Sequence, residues 1–405
     1  MRRMIIIGVF LFGAGHSAAD AVICPPSGIY CSCPPTTSFS HSVVPSVAAL
    51  PFVDGTLVRV LWADLEPAPG VFDWTILDAE LQRAIDNDTQ VSLGIVCGAT
   101  GEPDWLYQPA GAAPAAEAFE FFFRCNPEIE PCVAERMPLP WDGRFLDEWT
   151  AFIAALGQRY NDHPQITLVH MTSATANGFE MQLPSTPTDT QNWNAAGYTT
   201  ALHVASWETI IDAFAAAFPD KPLDVDVHPV LASDSVAEMV VDDASATIGE
   251  RFGVFSAWWT QHNAHDVYPG MYDLLQASAM SSYASVQFAR SETQHGASSF
   301  GDGGVVGALQ RVLEDDIIYA EIWNSDLLNT TFQTDFAVGA DALRIQPGDL
   351  DADGAVGPSD VPPFVAAIID SASTTTATRC RADINQDGAL DSLDVEGFVT
   401  SLLAP

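Results

Sequence analysis

Lysine is almost absent from this chain of 405 residues, in which Lys221 is the only one. Lysine and arginine together number 15, against 53 aspartates and glutamates, and the formal net charge is −38. A field of this sign repels phosphate backbones and anionic headgroups, which are the partners that basic proteins attract. The composition therefore argues against a nucleic-acid partner and against binding to anionic membranes.

Long apolar stretches are also scarce. Residues 4–12 form one, between Arg2-Arg3 and the small residues of Ala19-Asp20-Ala21. A spanning helix needs about 20 apolar residues, whereas a charged start, a short apolar core and a small-residue site are typical of a secretory signal peptide. We predict a signal peptide at 1–21, no transmembrane segment, and a protein that is secreted or held at the cell surface.

Cysteine is sparse too, and the chain has seven: Cys24, Cys31, Cys33, Cys97, Cys125, Cys132 and Cys380. Disulfides persist in exported proteins, so we expect Cys125 to pair with Cys132 across a proline-flanked loop. At least one further bridge is expected among Cys24, Cys31 and Cys33, and the odd count leaves one thiol over. The alternative for these three is metal binding, although the Cys31-Ser-Cys33 spacing suits zinc poorly.

The region 22–344 has the length of one (β/α)8 barrel. Seven short apolar runs are typical of buried parallel strands, at residues 57–62, 91–96, 166–172, 223–228, 252–258, 285–289 and 317–323. Amphipathic helical faces lie between them, for example the apolar side chains of residues 149–160 at i, i+3 and i+4 spacing. A barrel needs eight strands, so we expect the first one near Ser38 to Val47.

The first of these runs leads into the motif WADLEPAPGVFDW over residues 62–74. This motif resembles the second-strand segment of the large clan of retaining (β/α)8 glycoside hydrolases, especially its β-galactosidase and β-xylosidase branches. Pro103-Asp104-Trp105 after the next strand fits the same pattern. The resemblance implies glycoside hydrolysis of a carbohydrate substrate. It also implies a structural role for Glu66, whose carboxylate would tie its own loop together.

The same clan places an Asn-Glu pair after the fourth strand and a glutamate at the end of the seventh. This chain has Met-Thr-Ser-Ala over 171–174 at the first place and Gln287 at the second, so both expected glutamates are missing. Cleavage of a glycosidic bond needs two carboxyl groups. Our candidates are Glu180 as acid/base, Glu321 as its partner, and Glu292 as a third.

Each candidate has an alternative. Glu180 and Glu292 fall in loops of a very acidic protein, where most carboxylates are simply solvated. Glu321 lies inside an apolar strand, where an unpaired carboxylate would be costly, and this favours a functional role. His170 and His228 at strand ends are interpreted as ordinary hydrogen-bonded histidines, because no second ligand stands at metal spacing.

Tryptophans recur at the carboxyl ends of the predicted strands, where barrel active sites form. Flat aromatic faces stack on sugar rings. We therefore predict substrate-binding roles for Trp62, Trp105, Trp258, Trp259 and Trp323. Ordinary core packing is the alternative for each.

The tail repeats one loop pattern at an offset of 383 − 349 = 34 residues. Both loops, 349–360 and 383–394, carry oxygen side chains at positions 1, 3, 5 and 12 and glycine at position 6, which is a Ca²⁺ ligand pattern. The predicted ligands are Asp349, Asp351, Asp353, Asp360, Asp383, Asn385, Asp387, Asp391 and Asp394. The repeat ends in Asp rather than Glu and resembles a dockerin, which implies two bound Ca²⁺ and a cohesin-like or other surface-protein partner.

The predicted architecture is thus an α/β TIM barrel over 22–344 followed by a small all-α domain over 345–405 with two EF-hand-like calcium loops. The predicted function is a secreted glycoside hydrolase that acts on plant or algal poly- or oligosaccharide through a carboxylate pair. The alternative is a barrel without catalysis that binds glycan or serves as a surface scaffold. We expect calcium to order residues 349–394 and chelation to melt them separately from the barrel.

Overall fold

The computed structural model describes residues 22–34, 40–111, 113–123 and 133–403. The predicted signal peptide and the predicted Cys125–Cys132 bridge lie outside these residues. Within the described part, no helix combines the length and the apolar character needed to cross a bilayer.

Eight parallel strands close into a barrel, and two further strands form an antiparallel hairpin. In chain order the strands are β1 (Gly28–Ser32), β2 (Gly55–Leu61), β3 (Gln90–Val96), β4 (Ala118–Phe123), β5 (Val133–Pro138), β6 (Ile166–Met171), β7 (Leu223–Asp226), β8 (Phe252–Trp259), β9 (Tyr283–Phe288) and β10 (Tyr319–Trp323). The order around the barrel is β1-β10-β9-β8-β7-β6-β3-β2, and β4 pairs with β5 outside it. This closed barrel confirms the predicted TIM-barrel fold.

The first twelve helices accompany the barrel strands, and the last three belong to the C-terminal region. They are α1 (Pro45–Ala48), α2 (Trp62–Leu65), α3 (Thr75–Asp86), α4 (Gly143–Tyr160), α5 (Pro187–Ala195), α6 (Thr200–Ala217), α7 (Ser235–Ile248), α8 (Pro269–Ser281), α9 (Glu292–His295), α10 (Gly304–Glu314), α11 (Asn324–Leu327), α12 (Gln333–Leu343), α13 (Val361–Ile369), α14 (Thr376–Ala382) and α15 (Ser392–Leu402). The predicted face on α4 is buried along its whole length, from Trp149 to Tyr160. Asp142 begins this helix by accepting a hydrogen bond from the backbone N–H of Phe145 (2.9 Å).

The position predicted for the first strand is wrong. β1 lies earlier, at Gly28–Ser32, and pairs in register with β10 from Gly28 opposite Tyr319 to Ser32 opposite Trp323. Residues 45–48 instead form α1, in which Pro45 occupies the first turn, a position that suits proline because no N–H donor is needed there. The five residues of β1 offered no long β-branched run by which to detect them.

Disulfides join Cys31 to Cys33 and Cys24 to Cys380. The first confirms the expected bridge within the N-terminal group. The second connects residues that are 356 positions apart, and the sequence did not predict this pairing. Among the described cysteines, Cys97 is the free thiol, and it is buried.

The C-terminal helices α13, α14 and α15 pack around a small apolar cluster of their own. The aromatic rings of Phe364 and Phe398, which occupy equivalent places in the sequence repeat, stack with their centroids 4.0 Å apart. Leu350, Ala367 and Ala382 complete this cluster. The repeat therefore corresponds to two packed halves that share one core.

Candidate active site

Glu66 holds the loop after β2 together. Its carboxylate accepts hydrogen bonds from the indole N–H of Trp62 (2.7 Å) and from the backbone N–H of Gly70 (2.7 Å). Its backbone carbonyl accepts a further bond from the indole of Trp105 (2.7 Å). The carboxylate is buried and both of its oxygens are engaged, in agreement with the structural role that the motif implied.

Glu321 lies in the centre of the barrel and is fully buried. Its Oε1 accepts hydrogen bonds from the hydroxyls of Tyr319 (2.7 Å) and Ser92 (3.3 Å). Its Oε2 accepts one from Nε2 of Gln287 (2.6 Å). Gln287, at the place where the clan carries a glutamate, is thus a donor that orients Glu321.

His170 links Glu321 to Asp224, and we call these three residues the inner network. Nδ1 of His170 lies 2.6 Å from Oδ1 of Asp224, and Nε2 lies 3.4 Å from Oε1 of Glu321. Burial alone would lower the pKa of His170, but the charges and hydrogen bonds of the two carboxylates outweigh it and raise this pKa to about 9. A protonated imidazole therefore balances part of the buried negative charge.

Phe179, from the loop after β6, covers the inner network. Its ring centroid lies 5.3 Å from that of His170 and 6.0 Å from that of Phe255. The guanidinium carbon of Arg59 sits 4.5 Å from the centroid of the same ring. The ring fits because β3 has a glycine at 94, where an added Cβ would lie only 2.5 Å from the ring. The ring therefore packs against His170, and Glu321 beside that histidine is fully buried.

A second set of the same residue types lies nearer the mouth of the barrel, and we call Asp226, His228 and Glu180 the outer network. Nδ1 of His228 lies 2.7 Å from Oδ2 of Asp226, and Nε2 lies 3.8 Å from Oε2 of Glu180. The Asp226 carboxylate also accepts the backbone N–H groups of Met181 (3.1 Å) and Ala257 (2.8 Å). The Glu180 side chain is 20% exposed, so this carboxylate reaches solvent.

The electrostatics of the outer network favour a protonated His228. Burial would lower the pKa of His228, but the charge and hydrogen bond of Asp226, together with the charge of Glu180, raise it. Burial also raises the pKa of Tyr268, and the charges of Glu180 and Asp226 raise it further. The Tyr268 ring lies 5.2 Å from the rings of His228 and Trp258, so an aromatic wall stands beside the carboxylate.

Glu292 has a different environment from the other two candidates. Its Oε2 accepts the backbone N–H of Val305 (2.6 Å) in the first turn of α10, where a negative charge is stabilised by the helix dipole. Asp326 in turn accepts the backbone N–H groups of Glu292 (2.9 Å) and Thr293 (2.7 Å). The Glu292 carboxylate therefore caps α10. Among the described residues, the structure does not bring it together with the inner or the outer network.

Three of the predicted sugar-binding tryptophans are packed in the core, which corrects that prediction. Trp62 and Trp259 are fully buried and Trp258 is 4% exposed, so none presents a free ring face. Trp62 packs on Trp105 and Trp149. Trp105 and Trp323 are only partly buried against the core, so a role in sugar binding stays a prediction for these two.

Two features of the site were not predicted from the sequence. Phe179 lies in a loop and shows no periodicity, so nothing in the sequence identified it as a cover. Glu102 follows β3, and burial raises its pKa to about 8. The Tyr107 hydroxyl donates to its Oε1 (3.2 Å), and Oε2 is buried without a hydrogen-bond partner. The position of Glu102 directly before the Pro-Asp-Trp pattern was the signal available for it.

The two C-terminal loops have equivalent backbones. Residues at position 4, Ala352 and Gln386, have φ of 58° and 57°, and the glycines at position 6 have φ of 87° and 81°. Carboxylate oxygens of Asp349, Asp351 and Asp353 lie within 4.8 Å of one another. An all-oxygen, acidic donor set of this kind fits a hard divalent cation such as Ca²⁺.

The position-12 aspartates fix the loops from inside. Asp360 accepts the backbone N–H groups of Leu350 (2.6 Å) and Gly357 (2.7 Å). Asp394 accepts those of Ile384 (2.8 Å) and Asp391 (2.9 Å). Both carboxylates are fully buried, and within the described chain neither has an arginine or lysine within ion-pair distance. Bound cations would supply the missing positive charge.

The sequence matches the model of glycoside hydrolase family 42, described as beta-galactosidase, over residues 55–211. This is less than half of the chain, and it includes the Glu66 loop, β6 and Glu180. The match supports a glycoside hydrolase that acts on O-glycosyl bonds. No curated protein matches the sequence.

Solved structures of glycoside hydrolases are similar in fold. The catalytic domain of beta-amylase from Paenibacillus polymyxa aligns with a TM-score of 0.51 at 11% identity, over 79% of this chain and 99% of that one. Beta-galactosidase from Marinomonas ef1 aligns with a TM-score of 0.46 at 11% identity, over 78% and 60%. That from Bacillus circulans sp. alkalophilus gives 0.46 at 12%, over 74% and 52%. At these identities the likeness shows the barrel fold alone, and the chain spans only about half to three fifths of the two β-galactosidases.

Proposed function

We propose that this protein is a secreted glycoside hydrolase of plant or algal poly- or oligosaccharides in which Glu180 is the working carboxylate at the barrel mouth. One observation carries the proposal. Of the three predicted glutamates, Glu180 alone combines partial exposure to solvent with a histidine–aspartate pair beside its carboxylate, with His228 Nε2 3.8 Å away. The family match across this segment gives the reaction class.

The outer network would set the charge state of Glu180. Asp226 accepts from Nδ1 of His228 (2.7 Å), which leaves the Nε2 side of the ring facing Glu180. A positive imidazole at this distance favours the ionised carboxylate. An ionised Glu180 suits attack on the anomeric carbon or activation of water, and the leaving oxygen would take its proton from the inner network, in which His170 is protonated.

Glu321 would be the second carboxyl group, and its use requires movement of Phe179. The Phe179 ring and Glu180 are neighbours on one loop, so a shift of that loop moves both. Withdrawal of the ring from Gly94 would open Glu321 to the mouth. The proposed active state is therefore one in which substrate replaces the Phe179 ring between the two networks.

Single substitutions test this assignment. Glu180→Gln and Glu321→Gln should each reduce release of sugar by about 10³-fold or more, because each removes one of two carboxyl groups that act together. Glu292→Gln is the matched control and should retain activity once its folding is verified by circular dichroism. Full activity of both Glu180→Gln and Glu321→Gln on aryl glycosides and plant or algal polysaccharides would overturn the assignment.

The second candidate function is a barrel that binds glycan without cleaving it. The observation that favours it is the close packing of the Phe179 ring. Arg59 and Phe255 lie against the ring, and Gly94 leaves room for it, while Glu321 is fully buried. In this case Phe179→Ala should leave turnover absent and glycan binding intact. Calorimetry with soluble oligosaccharides, combined with product analysis over the same panel, separates the two functions.

For the C-terminal module we propose two Ca²⁺ sites and a tethering role. The equivalent loop geometry and the acidic oxygen donors support calcium. Exposed apolar side chains on α13, on α15 and directly after α15 support a protein partner of the cohesin-like kind: Val361, Val365 and Ile369 are 38%, 46% and 78% exposed, and Val395, Val399 and Leu403 are 40%, 46% and 78% exposed. Export is supported by the N-terminal sequence and by the two disulfides.

Two measurements test the module. Titration calorimetry should give two Ca²⁺ per chain, and the absence of heat and of any calcium retained after dialysis would refute the sites. Val365→Asp with Val399→Asp should abolish binding to immobilised cohesin domains. Val338→Asp, which changes a still more exposed valine on the barrel helix α12, is the control and should not affect it.

A further inference from the structure

The module is attached to the barrel by a short segment that is itself bonded to the barrel. Nε of Arg344 donates to Oδ1 of Asp54 (2.7 Å), and the backbone N–H of Ile345 donates to the hydroxyl of Ser27 (2.8 Å). Flexible linkers are rich in glycine and serine and make few such contacts. This connection therefore fixes the module beside the amino-terminal rim of the barrel.

The segment that precedes β1 lies between the module and the barrel. The backbone N–H of Val22 donates to the carbonyl of Gly388 in the second loop (2.7 Å), and Cys24 is bonded to Cys380. β1 follows at once and has only two residue pairs with β2, against five with β10. The strand that closes the barrel is thus the one held by the module.

Helix α14 supplies a third set of contacts from one face. Thr376, Arg379 and Cys380 are spaced i, i+3 and i+4, which places them on the same side of the helix. The Thr376 hydroxyl donates to the backbone carbonyl of Glu250 (3.1 Å), and the Arg379 guanidinium forms an ion pair with the Glu250 carboxylate. The second calcium loop begins directly after this helix, at Asp383.

The second calcium loop positions the Gly388 carbonyl, which accepts the hydrogen bond from the backbone N–H of Val22. The Asp383 carboxylate accepts the backbone N–H groups of Asp387 (3.2 Å) and Gly388 (2.9 Å), and it is 3% exposed. A cation bound by Asp383 and Asp387 would fix this turn and with it the Gly388 carbonyl. Within the described chain, no hydrogen bond joins the first loop, 349–360, to the barrel. The two loops are alike in sequence, but only the second one is hydrogen-bonded to the segment before β1 among the described residues, whereas residues 350–352 of the first loop line a cleft with Leu313 and Ile318 of the barrel.

We propose that the second calcium loop is a structural metal site of the barrel, which locks the first strand in place through Gly388, Val22 and the Cys24–Cys380 bridge. This inference rests on the proposed calcium binding and adds a role for one site. The contacts argue for coupled melting of module and barrel, in contrast to the separate melting expected from the sequence. An open cleft of about 430 Å³ lies between module and barrel beside Cys24 and Asp383.

The chain offers a selective reporter and a matched control. All ten tryptophans precede residue 344, so tryptophan fluorescence follows the barrel and not the module. Asp383→Asn with Asp387→Asn changes positions 1 and 5 of the second loop, and Asp349→Asn with Asp353→Asn makes the same change of charge in the first. Full-length oxidised protein is compared in excess Ca²⁺, with calcium stoichiometry measured by calorimetry.

The second-loop pair should lower the tryptophan-detected Tm by roughly 5 °C or more, as chelator does to the wild type, and speed amide exchange of residues 28–32. The first-loop pair should lower it by about 1 °C. Calcium binding to the wild type with a Tm that chelator does not change would overturn this inference and leave the calcium sites standing. Equal falls for both pairs would also overturn it. Absence of calcium binding by the wild type would refute the sites themselves.

Discussion

The inner and outer networks contain the same residue types but occupy different environments. In each, a histidine stands between an aspartate of β7 and a glutamate: His170 between Asp224 and Glu321, and His228 between Asp226 and Glu180. The inner glutamate is fully buried, whereas the outer one is 20% exposed. The inner network lies in the centre of the barrel, and the outer network faces its mouth.

This comparison shows that residue type alone does not identify a catalytic group. A buried carboxylate with every oxygen engaged and a cation beside it contributes to a rigid, balanced core. A similar carboxylate at the rim, with a histidine behind it and solvent before it, is available to a ligand. The side chain of Phe179 forms the boundary between the two environments.

The largest expected effect on this comparison concerns stability. Glu321→Ala should reduce the free energy of unfolding by about 3–5 kcal/mol, because the positive His170 and three hydrogen-bond donors lose their partner. Glu180→Ala should cost about 1 kcal/mol or less, since its carboxylate is partly exposed and water can replace it as the acceptor for Gln182. Urea unfolding at neutral pH measures both. Equal losses would mean that the two networks do not differ as their burial indicates.

A second test uses pH. The folded-state pKa of His170 is about 9, above its ordinary value of 6.5. Its stabilising contribution is therefore complete below about pH 6.5 and is lost as the pH rises through 9. The loss amounts to about 3 kcal/mol, because a tenfold change in proton affinity corresponds to about 1.4 kcal/mol.

The measurement is the difference in unfolding free energy between wild type and His170→Gln from pH 6 to 10. That difference should shrink across this range, because the variant has no imidazolium to lose. A constant difference would show that His170 is neutral in the folded protein, and the inner network would then lack its balancing charge.

The third test removes the boundary between the networks. Gly94→Ala would place a Cβ about 2.5 Å from the Phe179 ring, so the ring must move. The expected cost is about 1–3 kcal/mol of stability, as for other overpacked sites. If hydrolysis requires displacement of the Phe179 ring, turnover of the variant should rise or stay unchanged despite this loss of stability. Gly143→Ala, at a position with open space around it, is the control.

The sequence predicted the fold well where periodicity is strong and residues are conventional. The β2 run, the α4 face and the calcium-loop spacing each correspond to elements of the structure. β1 was misplaced because five residues with a bridged Cys-Ser-Cys carry no periodic signal, while Pro45 made α1 look like part of an extended segment.

The site was harder to predict because its function depends on distance in space. Glu180 and Glu321 were found from loop and strand position, yet nothing in the sequence indicated that Phe179 separates them. The tryptophans at strand ends were assigned to substrate, but Trp62 and Trp259 face the helices and fill the core. Side-chain direction at a strand end varies with one residue of register, and sequence alone did not fix it.

The smallest expected effect concerns Glu102, a third buried carboxyl group, which can be compared with those of the two networks. Glu102 has no histidine beside it, and burial raises its pKa to about 8, from the ordinary 4.5. The neutral form is therefore favoured, and wild-type stability falls as the pH rises from about 4.5 through 8.

Glu102→Gln mimics the neutral form and cannot ionise. The variant should gain about 1 kcal/mol over wild type between pH 5 and 9, an amount kept small by partial solvent access. Glu117→Gln, which changes an exposed carboxyl group, should give no such gain in the same urea titrations. If Glu102→Gln also gives none, then Glu102 is ionised at neutral pH, and a buried carboxylate in this barrel would not need a histidine to balance it.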